Sequence, residues 1–522
     1  MAEILDRNTD ARAPRTLGVD GPAVTWIEAH ADLRPEARAI IEIESGREFT
    51  YAALADRIAR AASLLESHGI GRGDRVAIVS TNTVEPFEAI YACARIGAIA
   101  VPLNWRLAER ELADIAEDFQ PALVLHSADR RPQATAISAA RGVPAIEWGD
   151  GGVWEALLAE AVPAGWDRAS RVTDPWVIIY TSGTTGRPKG VVHSVGSQIA
   201  DIENSAVVCG LESSSMTLSF LAPFHVAGLN SHVNPALHVG ATAGLMRSFD
   251  VDTTLEVLSA RRLPVTHFGA PSAVLQMLSA AIGDLAAADL PPLLTTVGGS
   301  PVPDELLTMW REVGWRMVPV YGASEAGSTI IAGPHDDDVV GGATGRSTLH
   351  SRVRVVAADG HETAPDEIGE IWIGGGALMS GYWGKPDETD AVLTDGWYRT
   401  GDAARRDGAG RIRIVDRWKE MFISGAENVY PAEVEAVIYE SPDVAAVAIV
   451  GVPDEKWGEV GHAFIVRAQG SDIDDAGIRS WCDTRLARYK IPARIEFVDE
   501  LPQGGSGKVL KNELRDRLRS RA

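Results

Sequence analysis

From about Val24 to Ser170, helical patterns alternate with short apolar runs rich in β-formers. Tyr51–His68 reads as a helix stopped by Gly69, Arg75–Val79 as a strand, Glu85–Ile96 as a second helix and Ala98–Leu103 as a second strand. Strands that are apolar throughout, alternating with helices, predict parallel sheets covered on both faces. The pattern resumes from Trp176 to Tyr321, then changes between about 340 and 416. There Gly-rich and Asp-Gly turns separate short strands, predicting a small antiparallel sheet or barrel. The last hundred residues predict a compact βαβ-like unit. Its helices are Pro431–Ser441 and Ile478–Tyr489, and its strands Val444–Val452 and Ala463–Ala468.

Composition narrows the class. The chain has 522 residues, room for three to four domains at ~150 residues each, and 45% of it is hydrophobic against 23% charged. Lys and Arg total 49 against 72 Asp and Glu, a net charge of −23 that disfavours general nucleic-acid binding. Three cysteines, Cys93, Cys209 and Cys482, lie far apart without a CxxC pair, which fits a reducing compartment and excludes a zinc or disulfide framework. The first residues lack the apolar core of a secretory leader, and no apolar run reaches the ~18 residues of a membrane span. A cytoplasmic multidomain enzyme is the expectation.

The sharpest local signal is Tyr180-Thr181-Ser182-Gly183-Thr184-Thr185-Gly186-Arg187-Pro188-Lys189-Gly190, between the apolar run Val177–Ile179 and a helical pattern starting near Ser194. Hydroxyls, glycines and two cations packed into one loop can wrap phosphate oxygens, and glycine allows the close approach. The spacing is not that of a Walker A loop. Further strings follow in order: Pro223-Phe224-His225-Val226-Ala227-Gly228, Gly298-Gly299-Ser300-Pro301, Tyr321-Gly322-Ala323-Ser324-Glu325, Gly401-Asp402, Asp416-Arg417-Trp418-Lys419, Gly425-Ala426-Glu427-Asn428-Val429-Tyr430-Pro431 and Ser506-Gly507-Lys508.

Together these strings resemble the adenylate-forming superfamily of acyl- and aryl-CoA synthetases, luciferases and peptide-synthetase adenylation domains. The likeness runs from about Val24 to the end and is strongest to the fatty-acyl and aryl-CoA synthetase branch. It implies an α/β fold: a large N-terminal domain of stacked sheets with a β-barrel-like subdomain (1–416, the subdomain about 340–416), and a small mobile α+β C-terminal domain (417–522) hinged near Lys419. It also implies ATP-dependent activation of a carboxylic acid to acyl-AMP, then thioester formation with CoA.

The resemblance assigns roles. Thr181, Ser182, Gly183, Thr184, Thr185, Gly186 and Lys189 would hold phosphates. Ser300, Pro301, Tyr321 and Gly322 would sandwich adenine, Ser324 would bind the α-phosphate, Asp402 would hold ribose, and Arg417 would contact ribose or phosphate. Glu325 and Thr184 would hold Mg²⁺, an oxygen-seeking cation, and Lys508 would be the cation of the first step. His225, Val226, Gly228, Ala270, Gly298, Gly299 and Gly322 would line the acyl pocket, His225 gating it or contacting the carboxylate. Gly425, Ala426 and Trp457 would line the pantetheine tunnel and stack on CoA. Relatives carry glycine where this chain has Ala426, and a Cβ there narrows the tunnel. An adenylation-only enzyme, handing acyl-AMP to a downstream ligase or carrier protein, is therefore the alternative to CoA ligation; a catalytically dead nucleotide-binding scaffold is a third. His225 stands where amino-acid-activating relatives carry aspartate, and Gly322 where acetate-type relatives carry Trp. The small residues around the pocket then predict a bulky or medium-to-long hydrophobic acid: fatty, aryl-alkyl or polycyclic. The resemblance leaves a homodimer open.

Overall fold

The computed structural model describes residues 24–149, 151–164, 171–181, 188–259, 263–283, 290–299, 302, 304–332, 344–357, 359–417, 422–425, 427–429, 431–502, 509 and 511–519. Among them the strands form four sheets. A nine-stranded sheet has six parallel strands at its centre, in the order Arg316–Ala323, Leu294–Gly298, His267–Pro271, Met216–Ser219, Thr242–Leu245 and Arg38–Glu42. Antiparallel strands close its edges. In a seven-stranded sheet, Pro175–Thr181, Ile99–Pro102, Arg75–Val79, Leu123–Ser127 and Ala145–Trp148 run parallel. The parallel α/β expectation holds for both centres. Within the 340–416 stretch, Ser351–Val356, Ile368–Gly375 and Trp397–Arg406 form the heart of a separate antiparallel sheet, while Arg346–Ser347 and Gly381–Tyr382 join the nine- and seven-stranded sheets.

An unforeseen strand is the main departure from the predicted order: Lys189–Ser194 pairs antiparallel with Pro175–Thr181, while the helix expected near Ser194 begins at Val195. Val191 and Val192 continue the buried sheet before Ser194 caps the helix by accepting from the Ser197 amide. In the C-terminal region, Val444–Asp454 and Gly458–Arg467 pair antiparallel through a tight turn. The true βαβ unit is Gly458–Arg467, helix Asp475–Asp483 and the parallel strand Arg494–Phe497. The helix expected to reach Tyr489 stops at Asp483, and Arg488–Lys490 makes a short 3₁₀ turn before Pro492, which the helix could not have passed undistorted. Two apolar clusters, one around Phe422, Val434, Ile449 and Ile465 and one around Val450, Phe464 and Leu514, give this region its own core.

Two elements bear directly on the site. Helix Glu109–Phe119 buries Leu112, Ile115, Ala116 and Phe119, the i, i+3, i+4, i+7 stripe of an amphipathic helix. Its third residue, Glu111, reaches back to accept from the Ala108 amide at 2.8 Å, satisfying a donor the helix start leaves open. Helix Val195–Val208 carries Asp201, which is buried beneath strand Gly327–Ile331. The Ser328 amide donates to Asp201 Oδ1 at 2.7 Å, and Asn230 Nδ2 donates to Oδ2 at 2.8 Å. This ties the strand that follows Tyr321–Glu325 to the helix that follows Lys189–Ser194.

Burial pushes the Asp201 carboxyl up to about 6 despite those two hydrogen bonds, which lower it. The unfolded chain therefore releases this proton first, and the stability due to Asp201 falls as pH rises from about 4 to about 6. We expect the melting temperature of Asp201→Asn, measured relative to wild type, to rise steadily across that window. Differential scanning fluorimetry at pH 4.5, 5.25 and 6.0 checks it; a flat difference would contradict the assignment.

Candidate functional site

The carboxyl ends of the parallel strands converge on the residues that the motifs single out. Tyr321, near the end of strand Arg316–Ala323, donates its hydroxyl to Asp402 Oδ2 at 2.7 Å, joining the expected adenine platform to the expected ribose carboxylate. Asp402 is buried and faces Arg417 across an antiparallel pair, so the two expected nucleotide ligands share one ladder rung. Its amide donates to Thr400 Oγ1, whose hydroxyl donates to the Ile371 carbonyl, which anchors the turn to the neighbouring strand.

The loop Tyr321–Glu325 is held from below by a residue that the motif reading passed over. His193, fully buried, hydrogen-bonds the Ser324 carbonyl through Nε2 at 2.7 Å. Burial lowers the His193 pKa to about 4, so the ring is neutral at pH 7 and donates from Nε2. Glu325 accepts from the Tyr382 hydroxyl at 2.8 Å. Lys189 lies over the Tyr382 ring, 5.1 Å from its centroid, and pairs with Glu388 at 2.5 Å. The expected phosphate cation is thus already matched to a carboxylate, and no pattern in the sequence marked Tyr382 or Glu388. Among the described residues no cluster of three or more His, Cys, Asp or Glu could hold a metal alone. A lone Glu325 carboxylate nonetheless suits a cation whose remaining oxygens come from phosphates and water.

At the acyl side, His225 precedes helix Val226–Asn230, with Val226, Gly228 and Ala270 buried. A Cβ on Gly228 would fall 1.8 Å from the Ala222 carbonyl oxygen, one on Gly298 2.3 Å from that of Val320, and one on Gly322 2.3 Å from that of Gly327. Close backbone packing therefore requires these three glycines, whatever the size of the acyl group, and their smallness alone is a weak measure of pocket volume. Gly299 has no such neighbour.

His225 Nε2 meets Glu427 Oε2 at 3.1 Å, from the C-terminal domain. Arg106 donates to Glu427 Oε1 at 3.2 Å and lies over the Phe224 ring. Glu427 is 8% exposed. Burial would raise its pKa, but His225, Arg106 and Lys490 together hold it below the ordinary carboxylate range. It was legible as part of the Gly425–Pro431 string, yet nothing there revealed its partner. Beside it, Gly425 adopts φ +57°, and its amide donates to the Trp457 carbonyl at 2.9 Å. A Cβ there would press within 2.7 Å of the Trp457 ring, which is 46% exposed with Lys456 over it. Ser182–Gly186, Ser300, Pro301, Lys419, Ala426 and Lys508 lie outside the described residues, as does the Arg417 side chain.

Known proteins match this arrangement. Residues 27–383 match the model of the AMP-binding enzyme family, and residues 433–508 that of the AMP-binding enzyme C-terminal domain. A feruloyl-CoA synthase from Amycolatopsis sp is 38% identical over 95% of this chain and 98% of its own. The o-succinylbenzoate-CoA synthetase of Bacillus subtilis, solved with its product analogue OSB-NCoA, superposes with a TM-score of 0.84 at 30% identity, covering 95% of this chain and 98% of that one. ATP-bound MatB from Rhodopseudomonas palustris reaches 0.69 at 29% identity, covering 95% and 99%. The chain belongs to the AMP-binding enzyme family, as an AMP-forming acid–thiol ligase.

Tyr321→Phe keeps the ring and removes the bond to Asp402. At about 0.5–1.5 kcal/mol for a neutral hydrogen bond, ATP affinity by isothermal titration calorimetry should fall roughly two- to tenfold. An unchanged affinity would separate the Tyr321–Asp402 pair from nucleotide binding.

Proposed function

We propose that the enzyme activates a bulky or medium-to-long hydrophobic carboxylic acid with ATP and transfers the acyl group to CoA. The substrate carboxylate attacks the α-phosphorus, pyrophosphate leaves, and an acyl-phosphate anhydride forms. The CoA thiolate then attacks the acyl carbon, the C–O bond to AMP breaks, and AMP departs. Lys508 and the hydroxyl loop at 181–185 neutralise charge in the first step. Glu325 and Thr184 would hold Mg²⁺, which when bound would supply charge stabilisation. Tyr321 and Asp402 position the nucleoside, and Val226, Ala270 and Gly299 border the acyl group.

One observation carries the CoA half of this reading. Glu427 of the C-terminal domain meets His225 at 3.1 Å, and two residues away Gly425, its amide bound to the Trp457 carbonyl, is one of those the resemblance associates with the thiol's route. Forming the anhydride needs positive charge at the α-phosphate, whereas thiol attack needs an open channel. A domain pivoting near Lys419 serves both. The adenylation-only alternative rests on Ala426, and no described contact favours it. Within the hydrophobic acids, the feruloyl-CoA synthase likeness puts aryl-alkenyl and aryl-alkyl acids first.

ATP–pyrophosphate exchange over a panel of carboxylic acids, followed by a thioester assay, tests this reading. Aryl-alkyl or medium-chain acids should support both reactions; acetate and amino acids should support neither. Exchange without thioester would replace CoA ligation by the adenylation-only reading, and Ala426→Gly should then restore thioester formation. Lys508→Ala should lower exchange by about 10²–10³-fold while leaving conversion of supplied acyl-AMP to thioester within a few-fold.

A further inference from the structure

The segment between strand Ile99–Pro102 and the first turn of helix Glu109–Phe119 reaches the C-terminal domain four times. Asn104 Nδ2 donates to the Tyr489 hydroxyl at 3.2 Å, Arg106 to Glu427 at 3.2 Å, and Arg110 to Glu440 at 3.2 Å. Lys490 Nζ donates to Glu111 Oε1 at 3.0 Å and to Glu433 Oε1 at 2.5 Å. All four contacts are polar. Lys490 is only 4% exposed and Glu433 6%, so the Lys490 pair is the desolvated centre, while Arg110 and Glu440 are half-exposed at the rim.

The two partners of Lys490 differ in kind. Glu433 belongs to the same domain and travels with it, so the ammonium keeps one carboxylate wherever the domain goes. Glu111 belongs to the N-terminal body, and its other oxygen is pinned by the Ala108 amide of its own helix. The body therefore presents a pre-oriented carboxylate to which one Lys490 geometry answers. A buried ion pair gains little net free energy over its separated, hydrated parts, yet it strongly disfavours misaligned placements that would bury one charge alone. Such a contact specifies register without trapping the domain.

From this we infer that Glu111 and Lys490 are positioning residues for the thioester-forming step: their pair seats the C-terminal domain so that Glu427 faces His225. The inference rests on the proposed two-step reaction for its kinetic readout, though its geometric readout does not. Glu111→Gln retains an oxygen for the Ala108 amide and removes the charge, so the helix start is preserved.

The geometric test places a cysteine at each end of the rim pair (Arg110→Cys with Glu440→Cys) and measures crosslinking by a bismaleimide long enough to span it. The native cysteines are buried and contribute little background. Adding Glu111→Gln should slow crosslinking about tenfold, equivalent to ~1.4 kcal/mol; an unchanged rate would overturn the inference. In the otherwise native chain, Glu111→Gln should slow thioester formation from acyl-AMP by a similar factor and leave pyrophosphate exchange within twofold. Lys490→Met added to Glu111→Gln should cost the thioester step little more than the larger single effect. Equal losses in both half-reactions, with a lowered melting temperature, would mark the pair as merely structural and also overturn it. Should the wild type show no exchange with any acid, the proposed function fails, while the crosslinking rate still decides the positioning role.

Discussion

A carboxylate removed from water must be met by opposite charge or by hydrogen bonds, and Glu427 meets that demand across a domain boundary. Its two oxygens face His225 and Arg106, both from the N-terminal domain, while the carboxylate itself belongs to the small one. Glu427 can stay ionised and buried only while the domains sit as they do. The contact thus couples a local electrostatic requirement to a global arrangement, and it does so beside the acyl pocket. Gly425 and Trp457 follow it into place, because the Gly425 amide is bound to the Trp457 carbonyl and its positive φ leaves no room for a side chain against the ring.

The N-terminal side of the site is built more rigidly. Its functional loops leave the carboxyl ends of parallel strands, where successive strands deliver residues to one edge without long connections. Buried polar groups then lock those loops to neighbouring elements: His193 on a strand holds the Ser324 carbonyl, Asp201 on a helix the Ser328 amide, and Thr400 the Asp402 turn. Each is withdrawn from solvent and hydrogen-bonded, a combination in which misplacement leaves an unsatisfied group and costs about 1–3 kcal/mol. The chain therefore pairs a body held by many local constraints with a small domain seated by a few polar contacts. That contrast is what a reaction with two unlike steps requires.

Much of this was legible in the sequence. The parallel sheets follow from apolar runs such as Arg75–Val79, and the antiparallel sheet from the Gly-rich spacing after residue 340. The ordered motif strings were sufficient for the family. What escaped were relations between distant segments. Glu427 was visible in its string, but its pairing with His225 spans 202 positions, and no local pattern encodes that distance. Lys490 and Glu111 look like surface charges in their own segments; only packing buries Lys490 and largely covers Glu111. The strand Lys189–Ser194 was missed because two valines between a loop and a helix are too short a run to announce a strand. The small residues near the pocket invited a volume argument, yet at Gly228, Gly298 and Gly322 the neighbouring carbonyl explains the glycine first.

The acidic surface takes on a more exact meaning in this light. A chain of net charge −23 binding ATP needs cations placed at the phosphates, with Lys189 among those the motifs nominate. In this arrangement Lys189 is neutralised by Glu388 and rests against Tyr382, whose hydroxyl holds Glu325. A triphosphate competing for Lys189 must displace a carboxylate, so part of its attraction is already spent. Once pyrophosphate has left, that same carboxylate can take the cation back without exposing a bare charge. In the proposed reaction an exchange of this kind would favour departure of pyrophosphate, and it accompanies the domain arrangement that sets Glu427 against His225.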